Sequence, residues 1–231
     1  MAIDNVVWDP AILADTPVGS GLAAMLEDID IRQCSGHDRV LVLQAHQRMR
    51  SHYAAQSYHA MTAVVDAIDP EDMAEDFVEQ AGAAEIAAAL RLTRHAAGLE
   101  VRLAMELQRR LPSVWAALCD GVIDVRTARA FVDGTLHLSI ATAREVVAQV
   151  ADDAKRLTTG QLRAKLRKLC IQADPLAAKE RYQHAVTQRR MVVEPTLDGV
   201  AEVHLLDVPP DRAHAMARRI NNIALGMKRA G

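Results

Sequence analysis

Residues 84–111 read AEIAAALRLTRHAAGLEVRLAMELQRRL, and this stretch decides the fold class. Ile86, Leu90, Ala97, Val101 and Ala104 recur at helical spacing, extended by Leu99, Leu103 and Leu107. Arg91, Arg94, His95, Arg102 and Arg109 fall three, four or seven apart and form a basic stripe opposite them. An apolar face backed by a charged one predicts a single long amphipathic helix from Ala84 to Leu111.

The rest of the chain agrees with a helical reading. Of 231 residues, 50% are hydrophobic and 25% charged, which excludes wholesale disorder. Aromatics make up only 3%, with two Trp, three Tyr and two Phe. The apolar half rests instead on Ala, Leu, Val, Ile and nine Met, a mixture that favours helices over sheets.

Downstream, Pro112 interrupts the pattern and Ser113–Leu118 resumes it as a short helix. Asp124 is expected to cap a helix over Val125–Gly134, and Ser139 or Thr142 one that reaches Lys155. Thr158 or Thr159 starts a helix with Leu162, Leu166, Leu169 and Ala173 on one face, and Asp174-Pro175 starts another reaching Gln188. The period then changes to two: residues 189–194 and 200–206 read as strands of a hairpin around Asp198-Gly199. Ala201, Val203 and Leu205 are expected on one hairpin face, and Pro209-Pro210-Asp211 opens a last helix to about Met227.

Upstream, Leu22–Leu26 is a short helical pattern, and Asp38 is the expected N-cap of a helix to Asp66. Val40, Leu43, Gln47 and Arg50 follow helical spacing there, and Asp69-Pro70-Glu71-Asp72 reads as a turn opening a further helix. The fold class expected is therefore mainly α: a multi-helix domain of long packed helices with a small C-terminal β-hairpin. The expected organisation is an N-terminal arm and short helix (1–35), a helical domain (36–188), and a hairpin plus helix (189–231).

The net charge of −3 hides a division. Residues 1–90 carry four basic and fifteen acidic residues, a balance of −11, while the rest carry 23 and 15, a balance of +8. An acidic arm beside a basic, anion-binding body is one reading; two solvated helical segments that differ by drift is the other. Cys34, Cys119 and Cys170 are far apart with no metal spacing, as expected of thiols in a reducing compartment. With no run long enough for a membrane span and no basic-then-apolar leader, the expectation is a cytoplasmic protein that makes no membrane contact.

Signatures of catalysis are missing. The sequence holds no phosphate-binding glycine loop, no G-x-S-x-G and no H-E-x-x-H, so no catalytic residue, metal or cofactor is assigned. His52 and His59 lie seven apart on one helix, with His46 upstream, and read as a polar helix face rather than as ligands. Glu71, Asp72, Glu75, Asp76 and Glu79 are spaced like a solvated acidic surface.

The cations are more informative. Arg163, Lys165, Arg167 and Lys168 share one helix, and no acid lies between Lys155 and Asp174. Arg126 and Arg129 add a pair, and Arg189-Arg190 opens the hairpin. Together Arg163, Arg167, Lys168, Arg189, Arg190, Arg126 and Arg129 are the candidate contacts to DNA phosphates. Residues 115–133 fit either a helix-turn-helix, with Arg126, Thr127 and Arg129 reaching out, or an ordinary αα-hairpin, which is preferred.

Several runs, in order, resemble a known family: residues 84–98, 110–121 (RLPSVWAALCDG), 126–130 (RTARA), 157–163 (LTTGQLR), 174–178 (DPLAA), Arg189-Arg190 and 198–201 (DGVA). The order is similar to the N-terminal helical domain of actinobacterial 13E12-repeat proteins, a domain of unknown function that precedes an HNH endonuclease module. The resemblance spans roughly residues 40–228. It implies a DNA-directed role, such as positioning or restraining a nuclease, but supplies no catalytic residues. The metal-binding His and paired Cys of the HNH module are not in this sequence, and so no nuclease activity carries over.

Two functions are weighed. The first is a non-catalytic DNA-associated module that binds double-stranded DNA through its phosphates. The second is an interaction module forming a homodimer or partner interface without DNA.

Overall fold

The computed structural model describes residues 11–68 and 75–230, and the chain is mainly helical with one antiparallel β-hairpin near its C-terminus. Contacts divide it into two compact units, one ending at Ala173 and one beginning at Asp174.

The first unit starts with α1 (Ala11–Asp15) and α2 (Ser20–Glu27), which pack on the N-terminal part of α3 (Gly36–Asp66). Leu13, Leu22 and Leu26 meet Val42, Ala45 and Met49 there in a small core. Arg48 of α3 ties the end of α1 down, donating to the carbonyls of Leu13 (2.9 Å), Ala14 (3.1 Å) and Thr16 (2.6 Å). A guanidinium on the C-terminal carbonyls of a helix also meets the negative end of its dipole.

Ser35, not Asp38, caps α3. The Ser35 side chain accepts from the Asp38 amide, and the Asp38 carboxylate accepts from the Ser35 amide at 3.2 Å. This reciprocal box moves the start three residues upstream of the expected cap. Helical spacing alone does not give the buried face of α3. Val42, Ala45, Met49, Ala55, Tyr58 and Val65 are buried, whereas Val40 and Leu43 are exposed.

The helix expected over Ala84–Leu111 is two helices. α4 (Glu75–Leu90) ends where Arg91 adopts φ 56°, with the Leu92 amide donating back to the Ala87 carbonyl at 2.9 Å. That is the left-handed closure that helices commonly make with glycine. Thr93 then caps α5 (Arg94–Met105), accepting from the Ala96 amide. A π-helical turn, Glu106–Arg110, carries α5 on to Pro112. The turn expected at Asp69–Asp72 lies outside the described residues.

The remaining helices fall close to their expected places: α6 (Pro112–Cys119), α7 (Val125–Thr135), α8 (Ile140–Ala154) and α9 (Thr159–Ala173). Asp124 caps α7 and Ser139 caps α8. Together with α3–α5 they enclose the larger core, in which Phe131, Leu107, Leu111, Leu118, Leu162 and Leu166 are among the largest fully buried side chains. Gly134 lets α9 approach α7: a Cβ there would lie 3.1 Å from Leu166 Cδ1.

The second unit contains α10 (Pro175–Thr187), β1 (Arg190–Pro195), β2 (Ala201–Leu206) and α11 (Pro210–Ala230). In the antiparallel register, Met191 faces Leu205 and Val193 faces Val203, so these residues share one face as the period-two pattern predicts. Among the described residues of this unit no side chain is buried.

Candidate functional site

On α9 the core face is Leu162, Leu166 and Cys170, and the polar face carries the cations. Arg163, Arg167 and Lys168 are exposed, and none of the three forms an ion pair among the described residues. Their neighbours are committed elsewhere. Lys165 pairs with Asp153, and Lys155 with Asp152 at 2.9 Å. The local sequence dictates this: Leu at 162, 166 and 169 fixes which side is inward, so residues 163, 167 and 168 must face water.

α7 packs on both α6 and α9. Its three residues considered as groove readers have different fates. Thr127 is buried and its amide donates to the Asp124 carboxylate at 2.8 Å, so it does not reach outward as the less favoured helix-turn-helix reading required. Arg129 donates to Glu100 Oε1 at 2.7 Å, with both side chains about two-thirds covered. Arg126 alone stands out, 81% exposed and 3.3 Å from Asp124. Burial opposes charge on Asp124, but hydrogen bonds from Thr127 and Arg126 more than offset it and hold its carboxyl below the usual carboxylate range.

Arg189 and Arg190 belong to the second unit. Both are exposed; Arg189 donates to the Val186 carbonyl at 3.5 Å and Arg190 lies 3.5 Å from Asp207. The seven candidate cations thus fall into a group on α9, a pair on α7 of which one is held by Glu100, and two on the second unit.

Polar groups inside the first unit fasten helices together. Glu100 of α5 accepts from Arg129 of α7 and from the Tyr58 hydroxyl of α3 at 2.8 Å. Burial, and then the Glu100 carboxylate, push the Tyr58 phenol well above its ordinary range. His52 Nδ1 lies 2.7 Å from the Cys119 carbonyl, and His59 Nδ1 3.2 Å from Gln108 Oε1, so two of the four α3 histidines bridge to other elements. Among the described residues no three His, Cys, Asp or Glu side chains are grouped as a metal site needs.

A second cationic feature appears where α5 folds back on α4. Arg94, His95 and Arg102 line a groove of about 590 Å³ together with Glu79 and Gln80. In the sequence these cations belong to a stripe that also holds Arg91 and Arg109; the helix break and the Arg109–Asp66 pair (2.7 Å) separate them. Only the packing of α4 on α5 reveals the groove.

A family model described as a domain of unknown function, DUF222, matches residues 43–230. The chain belongs to the DUF222 family. The match runs from within α3 to the end of α11, so the DUF222 region leaves out α1 and α2 but includes all seven candidate cations and the α4–α5 groove. Comparison with curated proteins and with solved structures returned no match. Among the described residues of this DUF222 chain, no helix is long and apolar enough to cross a membrane.

Proposed function

We propose that this DUF222 chain is a non-catalytic, DNA-associated module of the cytoplasm that binds duplex phosphates and positions a nuclease. The observation that carries the reading is α9, where Arg163, Arg167 and Lys168 are exposed and without an ion pair among the described residues, while Lys155 and Lys165 are bound to acids. Unpaired guanidinium and ammonium groups on one helix face exchange counterions for phosphates without rearranging the core. Arg126 on α7 would add to the contact within the first unit, and Arg189 and Arg190 are separate candidate phosphate contacts on the second unit. The scarcity of aromatic side chains favours a duplex over single strands, since stacking on bases needs rings. The likeness to the N-terminal domain of 13E12-repeat proteins supports a partner of the HNH nuclease type.

The test is the anisotropy of a labelled 20-base-pair duplex with wild-type protein and with Arg163→Glu/Arg167→Glu. The double variant is expected to lose at least about tenfold in affinity for all sequences alike. Unchanged binding in the variant overturns the reading.

One observation favours the second reading, a dimer without DNA. On α11, Met216, Ile220, Ile223 and Met227 are all exposed and follow alternating steps of four and three residues. Such a narrow seam matches one on a second copy of the helix, and Ala217 and Ala224 along one flank let it approach. Light scattering that finds a dimer together with no duplex binding would favour this reading, and a monomer at micromolar concentration contradicts it.

A further inference from the structure

We propose that the groove between α4 and α5 is a binding site for a single phosphate group, gripped by Arg94 and Arg102 above a notch at Gly98. Arg94, Gly98 and Arg102 stand four residues apart in succession, so they form one row along α5. The two arginines are separated by about 12 Å of helix rise. Both side chains line the same groove as Gly98, which lies midway between them along the helix. Neither guanidinium has an ion pair or hydrogen bond among the described residues, and His95 and Gln80 line the same groove.

Gly98 is what distinguishes this groove from two surface arginines. A glycine inside a helix is unfavourable relative to alanine, and proteins commonly keep one there so that another helix can approach. No such reason exists here: a Cβ built on Gly98 meets nothing within 4 Å. The contrast within the same unit is sharp, because a Cβ on Gly82 would lie 2.7 Å from Val65 Cγ2. The space above Gly98 lies open between two forked cations. A tetrahedral oxyanion fits that arrangement, accepting a pair of hydrogen bonds from each fork.

Glu79 also lines the groove and sets the balance. Its negative charge weakens the pull of Arg94 and Arg102 on an anion, although it forms no ion pair with either among the described residues. Phosphate, whether a free ester or inorganic phosphate or the backbone of a nucleic acid, is the shared chemistry. The site uses α4 and α5 rather than α9, so it stands or falls independently of the function proposed above.

The test follows the Gly98 amide signal by two-dimensional NMR of the full chain while inorganic phosphate, and separately a 12-base-pair duplex, is added at constant ionic strength. A saturable shift is expected. With inorganic phosphate it assigns a free phosphate or ester; with the duplex alone it assigns a backbone phosphate. Arg94→Gln/Arg102→Gln should abolish the response, and Glu79→Gln should tighten binding about threefold or more, as removal of a competing charge predicts. Gly98→Ala gives an independent readout: it should raise the melting temperature by about 2–4 °C while weakening binding, because helix propensity and ligand access pull in opposite directions. No saturable shift with either probe, or a response that survives in Arg94→Gln/Arg102→Gln, overturns the proposal.

Discussion

Tyr58, Glu100 and Arg129 show how single side chains hold this protein together. Glu100 accepts from both partners and so joins α3, α5 and α7. The folded state keeps the Tyr58 proton at a pH where the unfolded chain, with an ordinary value of 10.0, releases it. The contribution is therefore fully present below about pH 10 and is lost as the pH rises above it. Urea midpoints at pH 7 and pH 11 should fall further for wild type than for Tyr58→Phe, which lacks the titrating group. Arg110 is a second such anchor. It donates to the carbonyls of Thr135 and Leu138, both at 2.6 Å, and its Nε lies 3.6 Å from a buried Glu106 oxygen. Arg110→Met leaves that carboxylate without its cation and is expected to cost about 3 kcal/mol in chemical denaturation.

At the scale of elements, the turn between α6 and α7 depends on Gly121. Its φ is +67°, and a Cβ there would lie 2.7 Å from the Arg48 carbonyl oxygen of α3. Gly121→Ala is expected to destabilise the protein by at least about 2 kcal/mol, read as a shift of the urea midpoint, because backbone strain and overpacking combine. The helices themselves were largely legible in the sequence wherever a cap or a proline marked an end, as at Asp124, Ser139 and Pro175. The break at Arg91 was not. Arginine supplies the left-handed closing residue where glycine would have been visible, and Thr93 caps α5 within an unbroken apolar period. Near the start of α3 the buried face was not legible, because Val40 and Leu43 keep helical spacing yet are exposed. The hairpin faces were legible from alternation alone. For the site, the sequence located the cations but could not distinguish the available from the committed. Arg129 is held by a glutamate 29 positions away, a contact that only the tertiary fold creates.

For the whole molecule, the charge division between the first ninety residues and the rest has partial structural meaning. Arg48, one of the four cations of the acidic segment, is spent on the carbonyls that end α1 and the residues after it. The basic remainder contains α9, whose three unpaired cations carry the proposed function, and those residues contribute no core contact that the fold requires. Stability and DNA association should therefore separate cleanly under mutation, a pattern expected of a binding surface built on a closed helical core. The measurement that tests this most directly is the salt dependence of duplex affinity, compared between wild type and Arg163→Ala/Arg167→Ala/Lys168→Ala. Each lost phosphate contact should reduce the slope of log K against log salt by about 0.9, so the triple variant should be shallower by about 3, with its melting temperature unchanged. Equal slopes for the two proteins would contradict the claim that α9 holds DNA phosphates.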